Sequence, residues 1–158
     1  MGAVIGSFGI STAHWYGADP EWRAALEADA RGMHGRRLHI EEAPTKLTYY
    51  HRGLHVPGRQ LRVPARIEFH RKPVYETYGL EPHDYPRVFA DPDARSKHRM
   101  ADDNSLCLFF VNDPATKRWT SDKGLQSLIV MIADHLFHED IWRETDEWPI
   151  PDAPHGFQ

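Results

Sequence analysis

One sulfur dominates the reactive side chains of this sequence. Cys107 is the only cysteine among 158 residues, which excludes an intrachain disulfide framework and a CxxC zinc site. A thiolate is a good nucleophile even at slight ionisation, and a free thiol has a pKa of about 8.5. It forms acyl thioesters, which keep an acyl group activated toward an amine. Such a carrier needs a donor for the tetrahedral oxyanion, worth roughly 3–4 kcal/mol where one has been removed. His98, Asn104 and the backbone N–H groups near Ser105 are the candidates close in sequence. Asp102 and Asp103 stand just before the thiol and raise its pKa, which favours acyl exchange over a pre-ionised protease cysteine. Two other readings stay open. A Cys–His hydrolase needs a base, and His98, His135 and His155 all qualify by type while sequence places none of them. A lone cysteine can also be a small buried hydrophobe.

Other groupings are weaker. His135 and His138 are at i, i+3 with Asp134 and Glu139 beside them. That suits two metal ligands, but no third is spaced to complete a set, and a polar helix end explains them as simply. Gly6-Ser7-Phe8-Gly9 lacks the lysine and the strand–helix context of a phosphate loop. The 11 histidines are scattered, as surface histidines are. No metal and no cofactor is expected.

The elements that position Cys107 follow from periodicity. Asp19-Pro20-Glu21 opens a helix of about 19–32, with Asp as cap and Pro at the first position. Trp22, Ala25, Leu26, Ala30 and Met33 form its apolar face, and Gly32 and Gly35 stop it. Period two then takes over at Leu38 and Ile40, continues in a second strand over 47–52, and returns at Leu61, Val63, Ala65, Ile67 and Phe69. Pro64 has no N–H to donate, so it marks an edge or a bulge. Arg87 to Ala90 is a fourth short strand within an irregular stretch over 71–104, and Tyr75, Tyr78, Tyr85 and Phe89 make that stretch a packed loop. Leu106 to Val111 is an apolar anchor after the polar run 101–105. Thr120 or Ser121 caps a second helix whose core stripe is Leu125, Leu128, Ile129, Ile132 and Leu136, with His135, His138, Glu139 and Asp140 at its end. The expected architecture is α/β of the α+β kind: a helix, a four-stranded antiparallel meander, a cysteine loop and a central helix. It forms a single domain over 1–158, with irregular tails at 1–18 and 147–158.

Composition narrows the function classes. Hydrophobic residues are 41%, charged residues 27% of mixed sign, and the formal net charge is −4; these suit a folded core and disfavour disorder. No apolar run approaches the roughly 20 residues of a membrane span, and no Lys/Arg block suggests nucleic-acid binding. The start lacks a basic segment, so no secretory signal is expected. A cytoplasmic, reducing setting fits the cysteine usage.

The order of these elements resembles the ubiquitin-conjugating enzyme fold. Tyr85-Pro86 resembles that family's Tyr-Pro element, Ser105-Leu106-Cys107-Leu108 its cysteine motif, and Trp119-Thr120 before Leu125, Leu128 and Ile129 its tryptophan-led helix entry. His98 stands nine positions before the cysteine, followed by Arg99-Met100 where the family has Pro-Asn. The asparagine that stabilises the oxyanion in the family is therefore missing at its place, with Asn104 as a substitute. The tail Trp148 to His155 replaces the family's C-terminal helices. These departures are similar to the bacterial branch, and to the stand-alone conjugating component of short type II CBASS anti-phage systems. The resemblance implies that Cys107 carries the C-terminus of a partner protein as a thioester and transfers it to a lysine. The implied partner is a cGAS-like nucleotidyltransferase or a ubiquitin-like protein. It implies support from His98, Asn104, Trp119 and His155, and the chain's length leaves no room for a fused adenylating domain. A non-catalytic adaptor of the same fold and a deconjugating Cys–His hydrolase are the alternatives.

Overall fold

The computed structural model describes residues 15–151; Gly6–Gly9 and His155 lie outside them. Helix α1 spans Pro20–His34, and the Asp19 carboxylate accepts the Glu21 N–H at its start. It runs two residues past the expected stop. A Cβ on Gly32 would meet nothing, and the chain turns only at Gly35, where φ is +49°.

Strands β1 (Leu38–Glu42), β2 (Lys46–Leu54), β3 (Val63–His70) and β4 (Arg87–Ala90) form an antiparallel sheet in sequence order, as the alternation predicts. Pro64 sits where the β2–β3 register slips between His51 and Leu54, while β4 pairs β3 only from Ala65 to Glu68. Its missing N–H falls at this irregularity, so of the two positions expected of it, edge or bulge, it takes the bulge.

Helix α2 spans Gly124–Thr145. Neither Thr120 nor Ser121 caps it with a side chain; a 3₁₀ turn, Ser121–Lys123, intervenes, and Asp84 accepts the Ser121 N–H at 2.8 Å. The helix also runs further than the end placed near Asp140, closing at Asp146 in the left-handed region. His135, His138 and Glu139 therefore lie within the helix, where their backbone carbonyls are bonded and their side chains meet tertiary partners.

The inner face of the sheet contributes Leu47, Tyr49, Ile67, Phe69 and Val88 to the core; α2 contributes Leu125, Leu128, Ile129, Ile132 and Leu136, and α1 contributes Leu26 and Ala30. Burial of each large side chain is worth about 1.5–3 kcal/mol. Part of the stretch before α1, read as an irregular tail, packs on the core: Trp15 is buried and Tyr16–Ala18 form a 3₁₀ turn. The Trp15 indole lies over Gly17, where a Cβ would lie 2.2 Å from the ring. Tyr16 stacks edge-on with Trp15 and Trp22, and its hydroxyl donates to the His70 carbonyl at 2.6 Å. Among the described residues no helix is long and apolar enough to cross a membrane.

Candidate functional site

Cys107 follows a tight turn built by small polar side chains. Arg99 and Leu106 form a bridge, the Met100 N–H donates to the Ser105 carbonyl at 2.8 Å, and the Cys107 N–H donates to the His98 carbonyl at 2.9 Å. The residues between suit the bend. Asn104 takes φ +62°, which asparagine tolerates, and the Asp103 carboxylate accepts the Ser105 N–H at 2.9 Å. The Leu106 N–H donates to the Val88 carbonyl, tethering the turn to β4. All four backbone N–H groups from Asn104 to Cys107 thus have intramolecular acceptors, including those expected near Ser105 to serve an oxyanion.

The thiol is half-buried. It lines a groove of about 370 Å³ walled by Tyr85, Met100 and Phe109 on the loop side, and by Met131, His138 and Trp148 on the side of α2 and its tail. Its Sγ donates to the Met100 Sδ at 3.3 Å. Burial pushes the thiol up to about 12; Arg87 pulls it down, Asp103 and Asp102 push it up, and Arg99 pulls it down. The two aspartates act in the direction read from sequence, but burial is the larger cause.

Behind the hairpin lies a buried ion pair. Glu139 is fully buried and takes both arms of Arg99, at 2.9 and 2.8 Å, while a third Arg99 nitrogen donates to the Asp91 carbonyl. His135 faces the same carboxylate at 3.3 Å. Burial alone would raise the Glu139 pKa, but Arg99 and His135 hold it down to about 2. A bidentate guanidinium fixes orientation as well as distance, so Arg99 ties the bridged segment before Cys107 to α2.

The expected site residues divide. His98 joins the groove: its carbonyl holds the Cys107 N–H, and its ring lies 4.2 Å from that of Trp148. Asn104 turns away, its amide donating to the Pro92 carbonyl at 2.8 Å, and it lines a separate groove with Tyr50, Arg66 and Phe89. Trp119 is buried in the core, 6.1 Å from Phe69, with its indole N–H on the Gly124 carbonyl at 3.0 Å, so it secures the start of α2. His155 lies outside the described residues. His135 and His138 flank Trp148, at 5.4 and 5.8 Å. Among the described residues no group of three or more His, Cys, Asp or Glu side chains is placed to hold a metal.

Sequence reasoning missed Arg87, Arg99 and Glu139. One signal for Glu139 was present: it stands three positions after Leu136 and so continues the apolar stripe of α2. A carboxylate on a buried face needs a cation.

A four-stranded antiparallel sheet with two helices, and one thiol in a groove at its end, defines an α+β protein built around a single cysteine. The chain belongs to the Type II CBASS E2 protein family, whose profile matches residues 57–156, the span that holds β3, β4, Cys107 and α2. That membership gives it a conjugation-related place in CBASS antiviral defence, working with other CBASS components. A search of curated proteins gives no match.

Proposed function

We propose that Cys107 carries the C-terminal acyl group of a partner protein as a thioester and passes it to a lysine amine. The partner is a cGAS-like nucleotidyltransferase of the same defence system, and the domain is of the ubiquitin-conjugating type. The observation that carries this reading is the placement of the only cysteine in a groove, rather than sealed in the core, in a Type II CBASS E2 protein. In the first step the sulfur attacks a carboxyl activated as a mixed anhydride by another component. The S–C bond forms, the activating group leaves, and the thiol proton passes to solvent. In the second step the amine attacks, the C–N bond forms, the C–S bond breaks and the sulfur regains a proton. His98 and Asn104 shape the turn, and Trp119 secures the helix behind it. The raised thiol pKa supports acyl exchange over a hydrolase, which works from a pre-ionised cysteine.

The test is co-expression with the nucleotidyltransferase and the activating component, followed by gels with and without reductant. A reducible adduct is expected from the natural protein, none from Cys107→Ala, and a reductant-resistant oxyester from Cys107→Ser. An adduct that persists in the alanine variant defeats the carrier reading. Binding without any adduct in the natural protein makes the domain an adaptor.

A further inference from the structure

Arg87 is a buried cation whose polar partners lie on the turn before Cys107. It points from β4 with only 5% of its side chain exposed. Its Nη1 donates to the Ser105 hydroxyl at 3.3 Å, its Nη2 to the Asp102 carboxylate at 3.3 Å, and its Nε faces the Asp103 carboxylate at 3.2 Å. The guanidinium lies 4.0 Å from the centroid of the Tyr75 ring and 5.7 Å from that of Tyr85. Those rings are joined, since the Tyr75 hydroxyl donates to the Tyr85 carbonyl at 2.7 Å. The slot is thus braced from within, and it opens on the same groove as the thiol. A guanidinium stays charged throughout the accessible pH range. It also supplies several donors in one plane, so one side chain holds three residues of the turn at once.

We propose that Arg87 is a positioning residue for Cys107: it fixes the turn over 102–105 and supplies the positive charge that favours the thiolate, with Asp102 and Asp103 as its counterweight. The inference deepens the carrier reading and rests on it. The two aspartates are accessible, at 58% and 30% of their side chains, whereas Arg87 is not. Neutralising an aspartate therefore leaves the cation in its slot and tilts the local charge toward the thiolate. Removing the cation does the reverse. Other charges face the groove. Tyr85 comes from the slot, and Asp113 and Lys117 follow the cysteine; Arg99, paired with Glu139 behind the turn, lies outside the groove but also pulls the thiol down. From α2 come Asp134, His135 and His138, and His98 lies beneath the turn. None of these is altered in the variants below, so the shifts report on Arg87 and its two acids.

The lone cysteine makes the readout unambiguous: the rate of iodoacetamide alkylation of the full chain at fixed pH, on the rising limb where the rate follows the thiolate fraction. Arg87→Met is expected to slow alkylation about tenfold, the equivalent of about one pH unit, and to slow adduct formation alongside. Arg87→Lys, which keeps the charge but not the fork, is expected to leave the rate near that of the natural protein. Asp102→Asn is expected to raise it, while Asp102→Glu, which disturbs the same side chain without removing charge, leaves it in place. A folded Arg87→Met variant with an unchanged or raised rate overturns the proposal, because loosening alone exposes the thiol and speeds alkylation. If Arg87→Met does not fold, the Asp102 pair decides, and equal rates in Asp102→Asn and Asp102→Glu overturn it. Alkylation needs no partner. The absence of any adduct from the natural protein therefore defeats the carrier reading, whereas the alkylation rates judge Arg87 separately.

Discussion

Among the described residues two carboxylates are buried, Glu27 and Glu139, and they do different things with the same local device. Glu27 on α1 is flanked at i−4 and i+4 by Arg23 and Arg31, which donate to it at 3.0 and 2.8 Å. Glu139 on α2 is flanked at i−4 and i+4 by His135 and Arg143, at 3.3 and 3.6 Å. Each then takes one partner from beyond its helix. For Glu27 it is the Tyr49 hydroxyl at 2.5 Å, a neutral donor from β2 that ties α1 to the sheet. For Glu139 it is the charged fork of Arg99, forty residues earlier, on the bridged segment that leads to Cys107. The first centre holds the scaffold together; the second holds the cysteine hairpin to the scaffold. The difference lies in what remains when one partner goes. Glu27 keeps two guanidiniums, whereas Glu139 keeps a longer contact and a histidine.

The largest expected effect is therefore at the second centre. Arg99→Ala should lower unfolding stability by about 3–5 kcal/mol, the usual cost of leaving a buried charge without its partner, as read by urea unfolding. It should also speed Cys107 alkylation by loosening the hairpin. Replacing the pair together, Arg99→Met with Glu139→Leu, should recover most of the stability, since no charge is left stranded. The alkylation rate should stay high, because the directional fork is still absent.

A smaller effect separates the two regions by pH. Next to the scaffold centre, the Gly53 N–H donates to the His51 Nδ1, the His51 Nε2 meets the His34 Nδ1 at 2.9 Å, and the His34 Nε2 meets the Gln126 Oε1 at 2.6 Å. This chain is satisfied with both rings neutral. Burial above all, then His34, Arg37 and Arg62, lowers the His51 pKa from 6.5 to about 4. The unfolded chain thus binds the proton first, and stability falls as pH drops from 6.5 toward 4, by on the order of 3 kcal/mol. Glu139 acts with the same sign lower down, where protonation of the unfolded chain removes its contribution between pH 4.5 and about 2. His51→Gln should remove most of the upper phase in a stability–pH series, leaving the share of His138, whose pKa burial also lowers, and leave the lower phase in place. Loss of the lower phase as well would mean that the two regions do not titrate separately.

The smallest effect tests the scaffold centre alone. Tyr49→Phe should cost about 1.5–3 kcal/mol, one hydrogen bond to a charged acceptor, with Cys107 alkylation unchanged. If it speeds alkylation as much as Arg99→Ala does, the division of labour between Glu27 and Glu139 is wrong.

What was legible divides along the same line. The α1 cap at Asp19, the order of the four strands, the bulge at Pro64 and the stripe from Leu125 to Leu136 all follow from local spacing, because periodicity reports which face of an element is buried. Cys107 stood out by its uniqueness and by the polar turn before it. The boundaries of α2 were misjudged because its start is satisfied by Asp84, 37 residues upstream of Ser121, and its second half is held by Arg99 and Trp148 rather than by apolar spacing alone. Asn104 looked like a donor to the site from its place in the chain, yet its left-handed backbone sends the amide to Pro92.

Residue types and their periods were enough to determine the helix, the meander, the central helix and the single cysteine on its polar turn. Only the tertiary structure decided that Arg87, from the fourth strand, and Glu139, through Arg99, hold the turn that carries that thiol, and that burial rather than the nearby aspartates dominates its ionisation. The reason is physical. Hydrophobic patterning is written along the chain, whereas the energy of a charge depends on what surrounds it in three dimensions.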